Sequence, residues 1–129
     1  MNSVDSGTKP WRLKHMDCDL IFTEEMKLEL ISGLKNILIG NLEEIILYGS
    51  VARGNCTEES DVDIVLICRS EIAKEEKDRF LAWNAEMDLK YNRVFSIVDI
   101  ERSKFERWIS AVPFYKSIQK EGVILWKAA

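Results

Sequence analysis

Asp61 and Asp63 stand two residues apart at the entrance to the apolar run Val62 to Cys68, and strand geometry turns both carboxylates to one face. Their charges then lie roughly 6 to 7 Å apart along the backbone. At an effective dielectric of about 20 such a pair repels by roughly 2 to 3 kcal/mol, and by well under about 1 kcal/mol in water. A cation relieves that repulsion. An oxygen-only pair suits Mg2+ or Mn2+, which keep several waters and take further ligands from substrate phosphates. An isolated pair of this kind more often sits in solvent, so the residues around it decide.

Those residues are informative. Gly49-Ser50 follows directly on another apolar run, Glu44 to Tyr48. A glycine and a small hydroxyl residue there let the backbone approach a ligand closely, and turn N–H groups can bind an anion. Arg53-Gly54 comes next, at the expected start of a short helix whose N-terminus adds positive potential. The phosphate loop G-x-x-x-x-G-K-[ST] is excluded: Gly49 and Gly54 have its glycine spacing, but Asn55-Cys56 stand where Lys and Ser or Thr are required.

The joint pattern, Gly49-Ser50 with Arg53-Gly54 and then Ser60-Asp61-Val62-Asp63, resembles the polymerase-β-type nucleotidyltransferase superfamily. Its small size and G-S-x-A-R-G form are similar to the minimal nucleotidyltransferases, many of them antitoxin halves of toxin-antitoxin pairs. The resemblance implies transfer of a nucleoside monophosphate, AMP from ATP or the equivalent from another nucleoside triphosphate, to a protein or small-molecule hydroxyl. Asp61 and Asp63 would hold Mg2+ or Mn2+, and Gly49 and Ser50 would cradle the β- and γ-phosphates. Arg53 would either touch the triphosphate or brace the turn through Glu58 or Glu59. The implied partner is a small helical toxin.

The sequence departs from that pattern on the next strand. Family enzymes usually place a third carboxylate there, facing the aspartate pair, as metal ligand and general base. In Arg93 to Asp99 the aligned residue is Ser96. Asp99, three residues on, falls on the opposite face unless a bulge intervenes, and is more simply a polar strand end or a helix cap. Asp88 is weaker still. A serine is a poor base and a weak Mg2+ ligand, so a domain that neutralises its partner by contact alone is the competing reading.

The elements that must position these residues follow from periodicity. Thr23 caps a helix whose apolar positions Met26, Leu30, Ile31, Leu34, Ile37 and Leu38 recur every three or four residues and which ends near Gly40. Glu44 to Tyr48 and Val62 to Cys68 are buried strands. Glu71 to about Lys90 is a second amphipathic helix, Arg93 to Asp99 a third strand, Glu101 to Ile109 a short helix, Phe114 to Lys120 a helical turn, and Val123 to Trp126 a final strand. Trp83, Phe105, Trp108, Phe114 and Tyr115 are expected in the core. The order predicts one α/β (α+β) domain, a mixed sheet packed against helices, over residues 21–129, behind a flexible leader over 1–20.

Composition sets the class. A chain of 129 residues, 47% hydrophobic, is long enough for one core. A net charge of −4 disfavours binding to nucleic-acid phosphates. No apolar run has the length of a membrane span or a signal peptide. Three cysteines, Cys18, Cys56 and Cys68, without a CxxC pair fit reduced thiols better than a disulfide framework, which points to a cytoplasmic protein. With His15 as the single histidine, zinc is disfavoured. A homo-oligomer is left open.

Overall fold

The computed structural model describes residues 18–129. The leader expected over 1–20 therefore lies mostly outside the described residues, but its last three begin a helical turn, α1 (Cys18–Ile21). Thr23 then caps α2 (Glu24–Ile37), its hydroxyl accepting from the Met26 N–H at 3.2 Å, with Glu24 and Glu25 in the first turn where the helix dipole favours them. Its buried stripe is Met26, Leu30, Leu34 and Ile37.

The chain then alternates. β1 (Leu42–Tyr48) runs into α3 (Gly49–Arg53), and a polar turn leads to β2 (Val62–Cys68). Next come α4 (Lys74–Tyr91), β3 (Phe95–Glu101), α5 (Arg102–Trp108), α6 (Pro113–Glu121) and β4 (Val123–Lys127). The strands form one mixed sheet in the order β3-β2-β1-β4. β2 and β3 are parallel, while β1 is antiparallel to both β2 and β4.

Both faces of the sheet are covered. Val62, Ile64, Leu66 and Cys68 of β2 pack with α2 and with Phe80 and Met87 of α4 in the larger core. Val65 and Ile67 face the other way, onto Ile46, Ile100, Phe105 of α5 and Ile118 of α6. In β2 every residue is buried except Asp63. That single break in an apolar strand locates the site. Among the described residues no helix is long and apolar enough to cross a membrane.

Two expectations are corrected. Cys18 and Cys56 form a disulfide with Cα atoms 6.0 Å apart. Docking of α1 beside the segment after α3 brings together two cysteines 38 residues apart, a separation that periodicity cannot anticipate. Cys68 is a free thiol, buried under the sheet, where burial pushes its pKa up to about 12. Trp108 and Phe114, expected in the core, are 47% and 37% exposed, because α5 and α6 cover only part of their face of the sheet.

Candidate active site

The site lies at one end of the sheet, where β1 stops and β2 starts. Tyr48 ends β1 directly beside Asp63 in the antiparallel register. The backbone then turns at Gly49 with φ +79°, a left-handed conformation that glycine adopts without steric cost. A Cβ at this position would collide with the Asp63 carboxylate. The phosphate-turn candidate and Asp63 are therefore close neighbours, too close for residue 49 to carry a side chain.

Gly49-Ser50 is itself the first turn of α3, so the short helix begins four residues earlier than expected. Arg53 and Gly54 close it: Gly54 is the left-handed cap, its N–H directed to the carbonyls of Ser50 and Val51. Beyond it Thr57 and Ser60 fasten the polar turn reciprocally. The Thr57 N–H donates to the Ser60 hydroxyl at 2.8 Å and the Ser60 N–H to the Thr57 carbonyl at 3.0 Å. Arg93 adds a tether from the loop just before β3, donating to the Glu58 carbonyl at 2.9 Å. No local signal in the sequence singles out Arg93. Together these bonds deliver Asp61 to the mouth of β2.

Asp61 is exposed and Asp63 half-buried. Burial raises the Asp63 pKa above its ordinary value, and the Asp61 charge raises it further, while Arg53 pulls it back. The guanidinium of Arg53 meets neither Glu58 nor Glu59, the brace considered from sequence. It lies 3.8 Å from Glu121 at the end of α6, both side chains about half exposed. Ser50 is half-buried one residue beyond Gly49.

In the parallel register Ser96 of β3 stands beside Asp63, so the two side chains share a face. Asp99 does not join them. It lies on the opposite face, where its carboxylate accepts from Lys77 of α4 at 2.7 Å. Asp88 lines a pocket with Asp61, but its Oδ1 accepts from the Phe95 N–H at 2.9 Å and so organises the entry to β3. The donor set at the sheet mouth is thus two carboxylates and the hydroxyls of Ser50 and Ser96, oxygen only, around a cradle that a side chain at position 49 would fill. Such a set suits a hard divalent cation of the Mg2+ or Mn2+ type.

A strand, a glycine turn and an aspartate pair opening the neighbouring strand thus meet at this end of the sheet. The family described as Polymerase beta, Nucleotidyltransferase matches residues 29–128, and the chain belongs to it. Among its relatives are two proteins of Methanocaldococcus jannaschii named as protein adenylyltransferases. One is 31% identical over 98 residues, 76% of this chain and 92% of the relative. The other is 30% identical over 87 residues, 67% and 88% respectively. The fold also matches a toxin-antitoxin crystal structure with AMP-PNP (TM-score 0.56, 17% identity, 79% of this chain and 73% of that one). A further match is to a structure of tri-AMPylated Shewanella oneidensis HEPN toxin in complex with MNT antitoxin (TM-score 0.51, 15% identity, 79% and 70%).

Proposed function

We propose that this protein is an Mg2+-dependent adenylyltransferase that moves AMP from ATP onto a hydroxyl of a partner protein, as the antitoxin of a toxin-antitoxin pair. The observation that carries the reading is the contact of the glycine turn at Gly49 with the Asp63 carboxylate, beside Asp61. The names of the two Methanocaldococcus relatives support the protein acceptor. The toxin-antitoxin structures that share the fold, one with AMP-PNP and one with an AMPylated toxin, support the nucleotide and the class of partner.

In this reaction the acceptor hydroxyl oxygen bonds to the α-phosphorus, the bond from that phosphorus to the bridging oxygen breaks, and pyrophosphate leaves. The hydroxyl proton passes to solvent. Asp61 and Asp63 would hold the divalent ion, which when bound neutralises charge on the phosphate oxygens. The backbone at Gly49 and the Ser50 hydroxyl offer donors to the β- and γ-phosphates. Arg53, flanked by Glu121, supplies the nearest side-chain cation of α3.

A second reading, favoured by Ser96 beside Asp63, is that the domain binds the nucleotide but neutralises its partner by stoichiometric contact. ATP labelled on the α-phosphate, Mg2+ and the purified partner separate the two. Label transfer that disappears in Asp61→Asn and Asp63→Asn supports the enzyme. Full neutralisation by the same variants, with no transfer by the unaltered protein, supports the contact reading.

A further inference from the structure

The parallel register fixes which β3 side chains look onto the aspartate face. Asp63 is beside Ser96, and Val62 beside Phe95. One step back along both strands, Asp61 lies beside Val94, whose carbonyl accepts from the Val62 N–H at 2.9 Å. The positions on this face, Val94 just before β3 and then Ser96, Val98 and Ile100 within it, include no acid. On the other flank Asp63 has Tyr48. Of the nearby acids of β3 and α4, Asp99 pairs with Lys77 on the opposite face, and Asp88, which lines a pocket with Asp61, has its Oδ1 taken by the Phe95 N–H. Among the described residues no group of three or more His, Cys, Asp or Glu side chains converges closely enough to hold a metal.

Building on the nucleotide-binding reading above, we propose that this site takes its nucleotide with a single divalent ion, and that Val94 and Ser96 are the residues that exclude a second. The charge balance is elementary. Two carboxylates carry about the charge that one divalent ion neutralises, and a second ion would have only phosphate oxygens and the uncharged Ser96 hydroxyl to hold it. Asp61 and Asp63 then bind one ion shared with the phosphates. An acid at 94 or 96 would stand on the same face, one strand spacing away, about 4.8 Å, and complete a second ligand set.

The test is a count. Bound Mn2+ per bound α,β-methylene-ATP is measured on the full chain by electron paramagnetic resonance of free Mn2+, with nucleotide binding measured in parallel. One ion per nucleotide is expected for the unaltered protein and for Ser96→Ala, and two for Ser96→Asp or Val94→Asp, either folded variant sufficing. Two ions in the unaltered protein overturn the inference while leaving the nucleotidyltransferase reading intact. A count of one in both aspartate variants, with native circular dichroism, overturns the assignment to β3. Absence of any nucleotide binding by the unaltered protein sinks the functional reading, and the inference with it.

Discussion

Gly49 rests against the Asp63 carboxylate, so the turn that ends β1 and the acid that opens β2 occupy one continuous space. Gly54, five residues on, has nearly the same backbone angle, φ +78°, but open space around it. The two glycines separate strain from function. Gly54→Ala is expected to cost about 1 kcal/mol from the left-handed backbone alone, with nucleotide binding retained. Gly49→Ala adds a collision with Asp63, so stability falls by about 2 kcal/mol or more and binding falls at least about tenfold. Urea denaturation and titration with Mg2+ and α,β-methylene-ATP measure both quantities.

Asp61 and Asp63 repel one another in the absence of a cation. Replacing either by Asn is expected to leave melting temperature unchanged or slightly raised, while metal-dependent nucleotide affinity drops at least about tenfold. Calorimetric titration beside a thermal melt distinguishes this from simple unfolding. A fall in stability that parallels the loss of binding would contradict the assignment of these carboxylates to the ligand.

Arg53 pairs with Glu121 and also lowers the Asp63 pKa through its charge. Because both partners are half exposed, their ion pair contributes at most about 1 kcal/mol to folding. Its effect should appear in binding instead. Glu121→Gln frees the guanidinium and is expected to tighten nucleotide binding about two- to fivefold at low salt, with the gain shrinking as salt is added. Arg53→Gln should weaken it. Equal affinities in all three proteins would show that Arg53 only braces the turn.

Glu29 of α2 accepts from Lys90 and from the Tyr91 hydroxyl of α4, and the Lys90 hydrogen bond, then the Tyr91 one, lowers its pKa below the ordinary 4.5. A carboxyl whose folded pKa is depressed binds fewer protons folded than unfolded. Its stabilising contribution is therefore present above the unfolded pKa and lost as pH falls through the folded one. Glu29→Gln should be less stable than the unaltered protein at pH 7, and the difference should shrink as pH falls below the ordinary carboxylate value and vanish below the depressed folded-state pKa. Denaturant midpoints across pH 3 to 7 or thereabouts report this directly.

The Cys18–Cys56 bond closes a loop of 38 residues that contains α2 and β1. Chain-entropy bookkeeping gives such a loop about 3 to 4 kcal/mol of stabilisation. A dithiol reductant, or Cys18→Ser, is expected to lower the urea midpoint accordingly. Buried Cys68, with its thiol pKa near 12, should remain unreactive toward thiol reagents in either state.

Much of the scaffold was legible because it depends on local pattern. Thr23 caps α2 as its type suggests, and β2 spans Val62–Cys68, a run too apolar and β-branched to be anything but a covered strand. The boundaries that shifted depend on contacts distant in sequence. Strand β3 starts at Phe95 and not Arg93 because Asp88 takes the Phe95 N–H and Asn92 ends α4 in a left-handed conformation. The pairing of Arg53 with Glu121, and of Cys18 with Cys56, joins residues 68 and 38 positions apart. No periodicity encodes such meetings. The alternation rule did place Ser96 and Asp99 on opposite faces, and the register gives each its neighbour.

Strand order also dictates when the site can form during synthesis. β1, which leads into the glycine turn, has one edge paired by β2 soon after the polar turn is made, but its other edge waits for β4. Until residues 123–127 emerge, that edge presents unpaired N–H and C=O groups, a template for strand addition by another chain. Glu121, the counter-charge of Arg53, arrives just ahead of that last strand. A nascent chain stalled before Gly122 would carry both aspartates and the glycine turn on a sheet with an open flank, prone to association with another chain.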